Sequence, residues 1–228
     1  MKSIGIICEY NPFHNGHMYH INKIKEMFPD SVIILVMSGN FTQRGDASII
    51  NKWNKTKIAL NHNIDLVIEL PFIFTNQSAD TFAFGACSIL NYLKVDYLVF
   101  GSESDNIDYI KDIVNIEDDK KYQEKVKELL DNGINYPTAL SKALKDFNIN
   151  LSDSSNDLLG ISYVKALKKL NSKITPITIK RTNNYNDKTL TKYITSATSI
   201  RENINKRSIK KYVPKDTYKY LKEKKILY

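Results

Sequence analysis

The sequence predicts an α/β fold built on a parallel sheet with helices on both faces. From Lys2 to Gly101, short β-branched runs alternate with stretches of helical apolar spacing, the order that yields strand, helix, strand units. The 228-residue chain is 42% apolar and 25% charged, enough for one large domain or one domain plus an extension.

Lys2 to Cys8 and Ser31 to Met37 read as buried strands, bounded by polar or glycine-containing segments. Between them, Gly16 to Phe28 carries Met18, Ile21, Ile24 and Met27/Phe28 at helical spacing. A helix around Ile49 to Asn61, a strand at Asp65 to Glu69, a helix around Ala79 to Leu93 and a strand at Asp96 to Phe100, ending in Gly101, continue the alternation. Parallel sheets of this kind bind ligands outside the carboxyl ends of their strands, so the loop after the first strand is the first candidate site. From Ser104 to Asn150 the composition turns charged and helical (Asp119 to Asn132, Thr138 to Phe147), broken by Gly133 and Pro137. This reads as a helical insertion, or lid, between halves of the sheet. Asp153, Ser154 or Ser155 is positioned to cap a helix over Asn156 to Leu170, which leads to a last strand at Ile174 to Ile179. Thr195 to Thr198 opens a final short helix. The expected division is a body over residues 1–203, with its insertion at about 104–150, and a basic helical tail over 204–228.

The longest apolar stretches, such as Val32 to Met37, fall far short of the ~20 residues of a membrane-spanning helix. The amino terminus, MKSIGIICEY, lacks the apolar core and cleavage site of a signal peptide. A cytoplasmic location is therefore expected, and no membrane partner. Cys8 and Cys87 have no zinc-like spacing and read as buried, inert thiols.

Charge is divided unevenly. Residues 1–161 hold 15 Lys+Arg against 21 Asp+Glu, a net −6, whereas residues 162–228 hold 18 against 4, a net +14. A basic end on an acidic body suits a polyanion, because clustered cations release counterions from phosphates; a solvated lysine-rich surface gives the same arithmetic.

The stretch from Glu9 through Tyr10, Asn11, Pro12, Phe13, His14, Asn15, Gly16, His17, Met18 and Tyr19 to His20 follows the first strand and opens the first helix. Unpaired backbone N–H groups and the helix dipole there favour a phosphate. His14 and His17 lie three apart and can face one way, and Gly16 leaves room for phosphate oxygens at the backbone. Such a pair suits nucleotidyl transfer, in which positioning and charge stabilisation carry most of the catalysis. A bare HxGH also fits a metal pair or a helix cap, although no Cys or carboxylate cluster lies nearby.

ICEYNPFHNGHMYH (7–20), VMSGNFTQRGDASIINKW (36–53), DLVIELPF (65–72), VFGSE (99–103), SNDLLGISYVKAL (155–167) and SATSIRE (196–202) together closely resemble the bacterial tRNA(Met) cytidine acetate ligase family. The resemblance runs in order over nearly the whole chain. It implies a Rossmann-like nucleotidyltransferase core that activates acetate with ATP, giving acetyl-adenylate and pyrophosphate, and then acetylates N4 of the wobble cytidine of elongator tRNA(Met). By matching motifs it implies ATP contacts from Ile7, Cys8 and the rest of the segment to His20, with Gly101, Asn156 and Arg181, and His14 and His17 flanking the phosphates. Magnesium would arrive on ATP, without a dedicated protein cage. Family members continue beyond the SATSIR segment into a region thought to assist with tRNA; here either the basic tail does that work or something else holds the tRNA.

Thr198 and Arg201 resemble the T-x-x-R end of a second phosphate-binding signature. Lys52 and Arg44 follow the second strand, at the mouth of the expected site, and Lys52 joins His14, His17 and Arg201 as a catalytic candidate. Asp65, Glu69 and Asp80 are assigned no catalytic role. Lys206, Arg207, Lys210 and Lys211, interleaved with Tyr193, Tyr212, Tyr218 and Tyr220, are the candidate RNA contacts; tyrosines at such spacing also pack on their own domain. Two competing functions share these features: an adenylyltransferase for a small phosphorylated metabolite, and a nucleotide-dependent RNA-binding module without catalysis.

Overall fold

The computed structural model describes residues 1–149, 155–181 and 194–223. In chain order the elements are β1 (Ser3–Cys8), α1 (Asn15–Met27), β2 (Val32–Ser38), α2 (Lys52–Asn61), β3 (Leu66–Leu70), α3 (Phe72–Thr75), α4 (Ala79–Tyr92), β4 (Tyr97–Ser102), α5 (Ile107–Ile116), α6 (Lys120–Asp131), α7 (Tyr136–Lys145), α8 (Ser155–Lys169), β5 (Thr175–Lys180), α9 (Ala197–Glu202), a 3-10 turn (Arg207–Lys211) and α10 (Lys215–Lys222). All five strands are parallel, in the order β3-β2-β1-β4-β5. The chain starts at the centre, moves outward through β2 and β3, then returns to β4 on the other side of β1. The crevice at the carboxyl ends of β1 and β4 is therefore the topological switch point, where ligands bind in such sheets.

Period-two alternation along the strands supplies two cores. Ile34 and Val36 of β2, with Ile7, Leu98 and Phe100, meet α4 to α8 on one face. Ile33, Leu35 and Met37, with Ile4, Ile6 and Val99, meet α1, α2 and the carboxyl-terminal elements on the other. Both faces are buried, which is why these strands are apolar without polar alternation. At Gly5 a Cβ would come within 2.7 Å of Leu90, so glycine there lets α4 pack close to the central strand.

Several helices start at side-chain caps: Asn51, Ser78, Asn106, Asp119 and Asn135 each accept a backbone N–H of the first turn that follows. The helix expected around Ile49 begins instead at Lys52, because Asn51 caps it and the N–H of Ser48 is spent on the Asn40 carbonyl (2.8 Å). The insertion over 104–150 is helical, and its buried Ile110, Ile113, Tyr122 and Leu144 join the first core. None of its described residues lines the cleft. Asp153, Ser154 and Tyr193 lie outside the described residues. Residues 204–223 are part of the second core: Ile209, Tyr212, Val213 and Leu221 are buried, and Tyr218 and Tyr220 pack beside them. Among the described residues no helix is long and apolar enough to cross a membrane.

Candidate functional site

The candidate site is a cleft of about 120 Å3 at the switch point, walled by β1, β4, β5, α1, α8 and the segment entering α9. Its centre is the start of α1. His14 is the N-cap, and its Nδ1 accepts the N–H of Gly16 at 3.0 Å. The Nδ1 of His17 in turn accepts the N–H of His14 at 3.2 Å. This is a capping box made from two imidazoles, whose ring centroids lie 3.9 Å apart. Each neutral ring therefore carries its proton on Nε2, as a donor.

This geometry corrects the expectation of unpaired backbone amides. The N–H of Asn15 goes to the Tyr212 carbonyl (2.9 Å), that of Gly16 to His14, and those of His17 and Met18 to the His14 carbonyl (2.9 and 3.2 Å). The helix amino terminus has exchanged main-chain donors for two imidazole donors. Gly16 is needed less for an approaching phosphate than for His14 itself, since a Cβ there would sit 2.7 Å from that ring.

Burial, reinforced by Arg181 and Arg201, pulls the pKa of His14 down to about 3. His17 is held well below the ordinary imidazole range by burial and then by His14 and Arg181, and burial with Arg181 brings His20 to about 4. All three are neutral at physiological pH, so the histidines offer hydrogen bonds, not fixed charge.

The opposite wall carries the charge. Arg181, at the end of β5, donates from Nη1 to Asn156 Oδ1 (3.3 Å), Asn156 donates from Nδ2 to Glu103 Oε1 (2.5 Å), and Glu103 Oε1 lies 3.7 Å from Arg181 Nε. This three-residue ring fixes the direction of the Asn156 amide. Behind it, buried Asp157 accepts from Ser102 Oγ and from the N–H groups of Glu103 and Ser104, tying α8 to the end of β4. Cys8 is in the cleft wall, and burial raises both its thiol and that of Cys87 to about 12, which keeps them protonated.

Ile7, Cys8, His14, Gly16, His17, Tyr19, His20, Gly101, Asn156 and Arg181 line the cleft, as do Thr195 and Ser196. Other expected nucleotide contacts are placed elsewhere. Tyr10 and Phe13 are buried in the second core with Met18 packed beside them, and Pro12 is buried. Glu9 accepts the N–H of Gln43 (2.6 Å) and Asn11 that of Ile49 (2.8 Å), which fastens the loop over residues 39–51 to the first loop. Arg201 donates to the Asn11 carbonyl (2.7 Å) and to Thr198 Oγ1 (3.0 Å), so it braces the histidine loop from behind, with Thr198 as its partner. The ammonium of Lys52 pairs with Glu69 (2.7 Å) at the end of edge strand β3, two strands from the histidines' strand, and it does not line the cleft. Lys206, Arg207, Lys210 and Lys211 are all exposed.

The lysine built into this region is Lys55, one turn along α2. It is 1% exposed, and its ammonium donates to the carbonyls of Glu9 (2.8 Å) and Ser38 (2.9 Å) and to Ser48 Oγ (3.1 Å). Burial lowers its pKa to about 8. It joins the carboxyl ends of β1 and β2 to the loop over 39–51. Among the described residues no cluster of His, Cys, Asp or Glu is arranged to hold a metal ion.

The profile of the family described as HIGH Nucleotidyl Transferase matches residues 1–227. A tRNA(Met) cytidine acetate ligase of Caldicellulosiruptor bescii is 46% identical over 230 residues, 98% of this chain and 57% of that protein. That of Acetivibrio thermocellus is 49% identical over 216 residues, 90% of this chain and 52% of that protein. The apo crystal structure of Thermotoga maritima TmcAL superposes with a TM-score of 0.91 at 36% identity, covering 97% of this chain and 56% of that one. A second form, bound with alpha-thio ATP, gives 0.87 at 35% identity, covering 97% and 55%. The chain thus spans a little over half the length of these relatives.

Proposed function

Because the chain belongs to the HIGH nucleotidyl transferase family, we propose that its cleft binds ATP, activates acetate as acetyl-adenylate, and serves acetylation of N4 of the wobble cytidine of elongator tRNA(Met) in the cytoplasm. The observation that carries this reading is the reciprocal capping of His14 and His17, which commits both Nε2–H groups as donors in a cleft at the switch point. A carboxylate oxygen of acetate attacks the α-phosphorus, the bond to the bridging oxygen breaks, and pyrophosphate leaves. The two imidazoles donate to phosphate oxygens as charge builds, without gaining a proton. ATP enters with Mg2+ held by its own phosphate oxygens and water.

The ring of Glu103, Asn156 and Arg181 supports a nucleoside end on that side of the cleft, since Arg181 is partly neutralised by Glu103. In the second step the cytidine N4 amine attacks the acetyl carbonyl and loses a proton, and AMP departs. Lys206, Arg207, Lys210 and Lys211 are the proposed contacts to the tRNA backbone. The ligase names of the relatives and the ATP analogue bound to the Thermotoga maritima protein support the choice of substrates.

The test is pyrophosphate release from ATP with acetate, with and without elongator tRNA(Met), followed by nucleoside analysis. Acetate-dependent release with N4-acetylcytidine is expected. Release without acetylation would limit the chain to the activation step, and no release in any combination would refute the reading.

A further inference from the structure

We propose that Phe41, Trp53 and Phe72 form a stacking platform for unpaired bases of the tRNA anticodon loop, beside the cleft in which the cytidine reacts. This rests on the tRNA reading above and names where the RNA is held. Large apolar side chains at a protein surface call for an occupant when they gather in one place. Phe41 is 44% exposed, Trp53 70%, Phe72 61% and the neighbouring Ile73 69%. Phe41 lies in the loop after β2, Trp53 in the first turn of α2 and Phe72 directly after β3, so all three stand at the carboxyl edge of the sheet, where the cleft opens. The Phe41 and Phe72 rings meet edge to face at 5.5 Å, an arrangement that leaves ring faces uncovered.

Cations are interleaved with the rings. The Lys52 ammonium lies 5.2 Å from the Trp53 ring while pairing with Glu69, Lys57 is exposed one turn further along the same helix, and Arg44 belongs to the loop of Phe41. The centre of a protein-docking patch is depleted of charge. Aromatic faces set among cations instead match single-stranded nucleic acid, whose bases stack on rings while phosphates meet the cations. Strand spacing of ~4.8 Å puts the end of β3 about 10 Å from that of β1. A base that reacts must leave its stack, and at this distance the nucleotides beside it reach the platform.

Trp53 is the only tryptophan in the chain, so its fluorescence reads the platform directly. An anticodon stem-loop RNA of elongator tRNA(Met) is expected to quench it saturably, whereas a blunt duplex, with no unpaired bases, leaves it unchanged. Phe41→Ala with Phe72→Ala keeps the probe and should weaken stem-loop binding at least about fivefold per lost ring, with the melting temperature held because both rings are exposed. Absence of quenching, or unaltered binding by the double variant, overturns the platform. So does a dimer in sedimentation that the double variant dissociates, since the surface then belongs to a second copy. Acetate-dependent pyrophosphate release by the wild-type chain is measured alongside: release without quenching removes the platform alone, and quenching without release removes the proposed reaction alone.

Discussion

The side-chain amide of Asn15 donates to the carbonyl of Lys211 at 2.9 Å, fastening the first turn of the helix that carries both histidines to the segment that carries the basic cluster. The backbone N–H of Asn15 adds a second bond to the Tyr212 carbonyl. Both acceptors are main-chain atoms, so the cluster's position does not depend on its own charged side chains.

Replacing Lys206, Arg207, Lys210 and Lys211 together by glutamine should therefore leave the fold and ATP affinity intact. All four side chains are exposed. If they meet phosphates, tRNA affinity falls and the slope of log affinity against log salt flattens by up to about 3, at ~0.7 per lost single-strand contact. Filter binding across a salt series decides it; an unchanged slope would reduce the cluster to a solvated surface.

His17→Ala removes two things at once, the acceptor for the His14 N–H and an Nε2–H donor in the cleft. Acetyl-adenylate formation should drop by about 100- to 1,000-fold, with a cap loss of about 0.5–2 kcal/mol in urea denaturation. His17→Gln separates the two effects. Its side-chain carbonyl restores a capping box, but its amide does not carry a donor to the same point, so stability should recover and rate should not. Near-normal turnover in either variant would take His17 out of the mechanism.

The strands and most helices were legible because burial on both faces writes itself as apolar runs, and the candidate loop because HNGH sits between a strand and a helix. What the spacing of His14 and His17 cannot convey is which nitrogen accepts, and hence that the helix end has no amide left for a phosphate. Helix α5 carried a signal that the acidic composition of its surroundings masked: Asn106 followed by Ile107, Ile110, Ile113 and Val114 at helical spacing. Glu103 and Asp157 stood in plain view within the VFGSE and SNDLL segments, yet their roles depend on β4 and α8 meeting at the cleft. Lys52 and Lys55 could not be told apart for a similar reason. Within Lys-Trp-Asn-Lys-Thr-Lys each lysine looks solvated, and only the converging carbonyls of Glu9 and Ser38 give Lys55 a buried seat.

Lys55→Met preserves most of the apolar stem and deletes three donated hydrogen bonds, leaving two carbonyls and a hydroxyl to find other partners. The expected loss is about 2–4 kcal/mol by urea denaturation. ATP affinity should weaken with it, because Lys55 binds the Glu9 carbonyl within the proposed nucleotide loop. A loss below about 1 kcal/mol would mean that the carbonyls are satisfied without the ammonium.

The depressed histidines make stability depend on pH with a definite sign. In the folded chain His14 titrates at about 3 and His20 at about 4, against about 6.5 when unfolded. Between those values the unfolded chain binds protons that the folded chain does not, so stability is fully present above about pH 6.5 and declines as the pH falls toward 4. The decline is up to about 1.4 kcal/mol per pH unit for each imidazole. Urea midpoints at pH 7.5, 6.5, 5.5 and 4.5, steps of one unit kept above the range where carboxylates take over, should be level across the first step and fall across the next two. His20→Gln should make that fall shallower by one imidazole's share. A midpoint that stayed level to pH 4.5 would place both rings in contact with water, and their neutrality in the cleft would have to be abandoned.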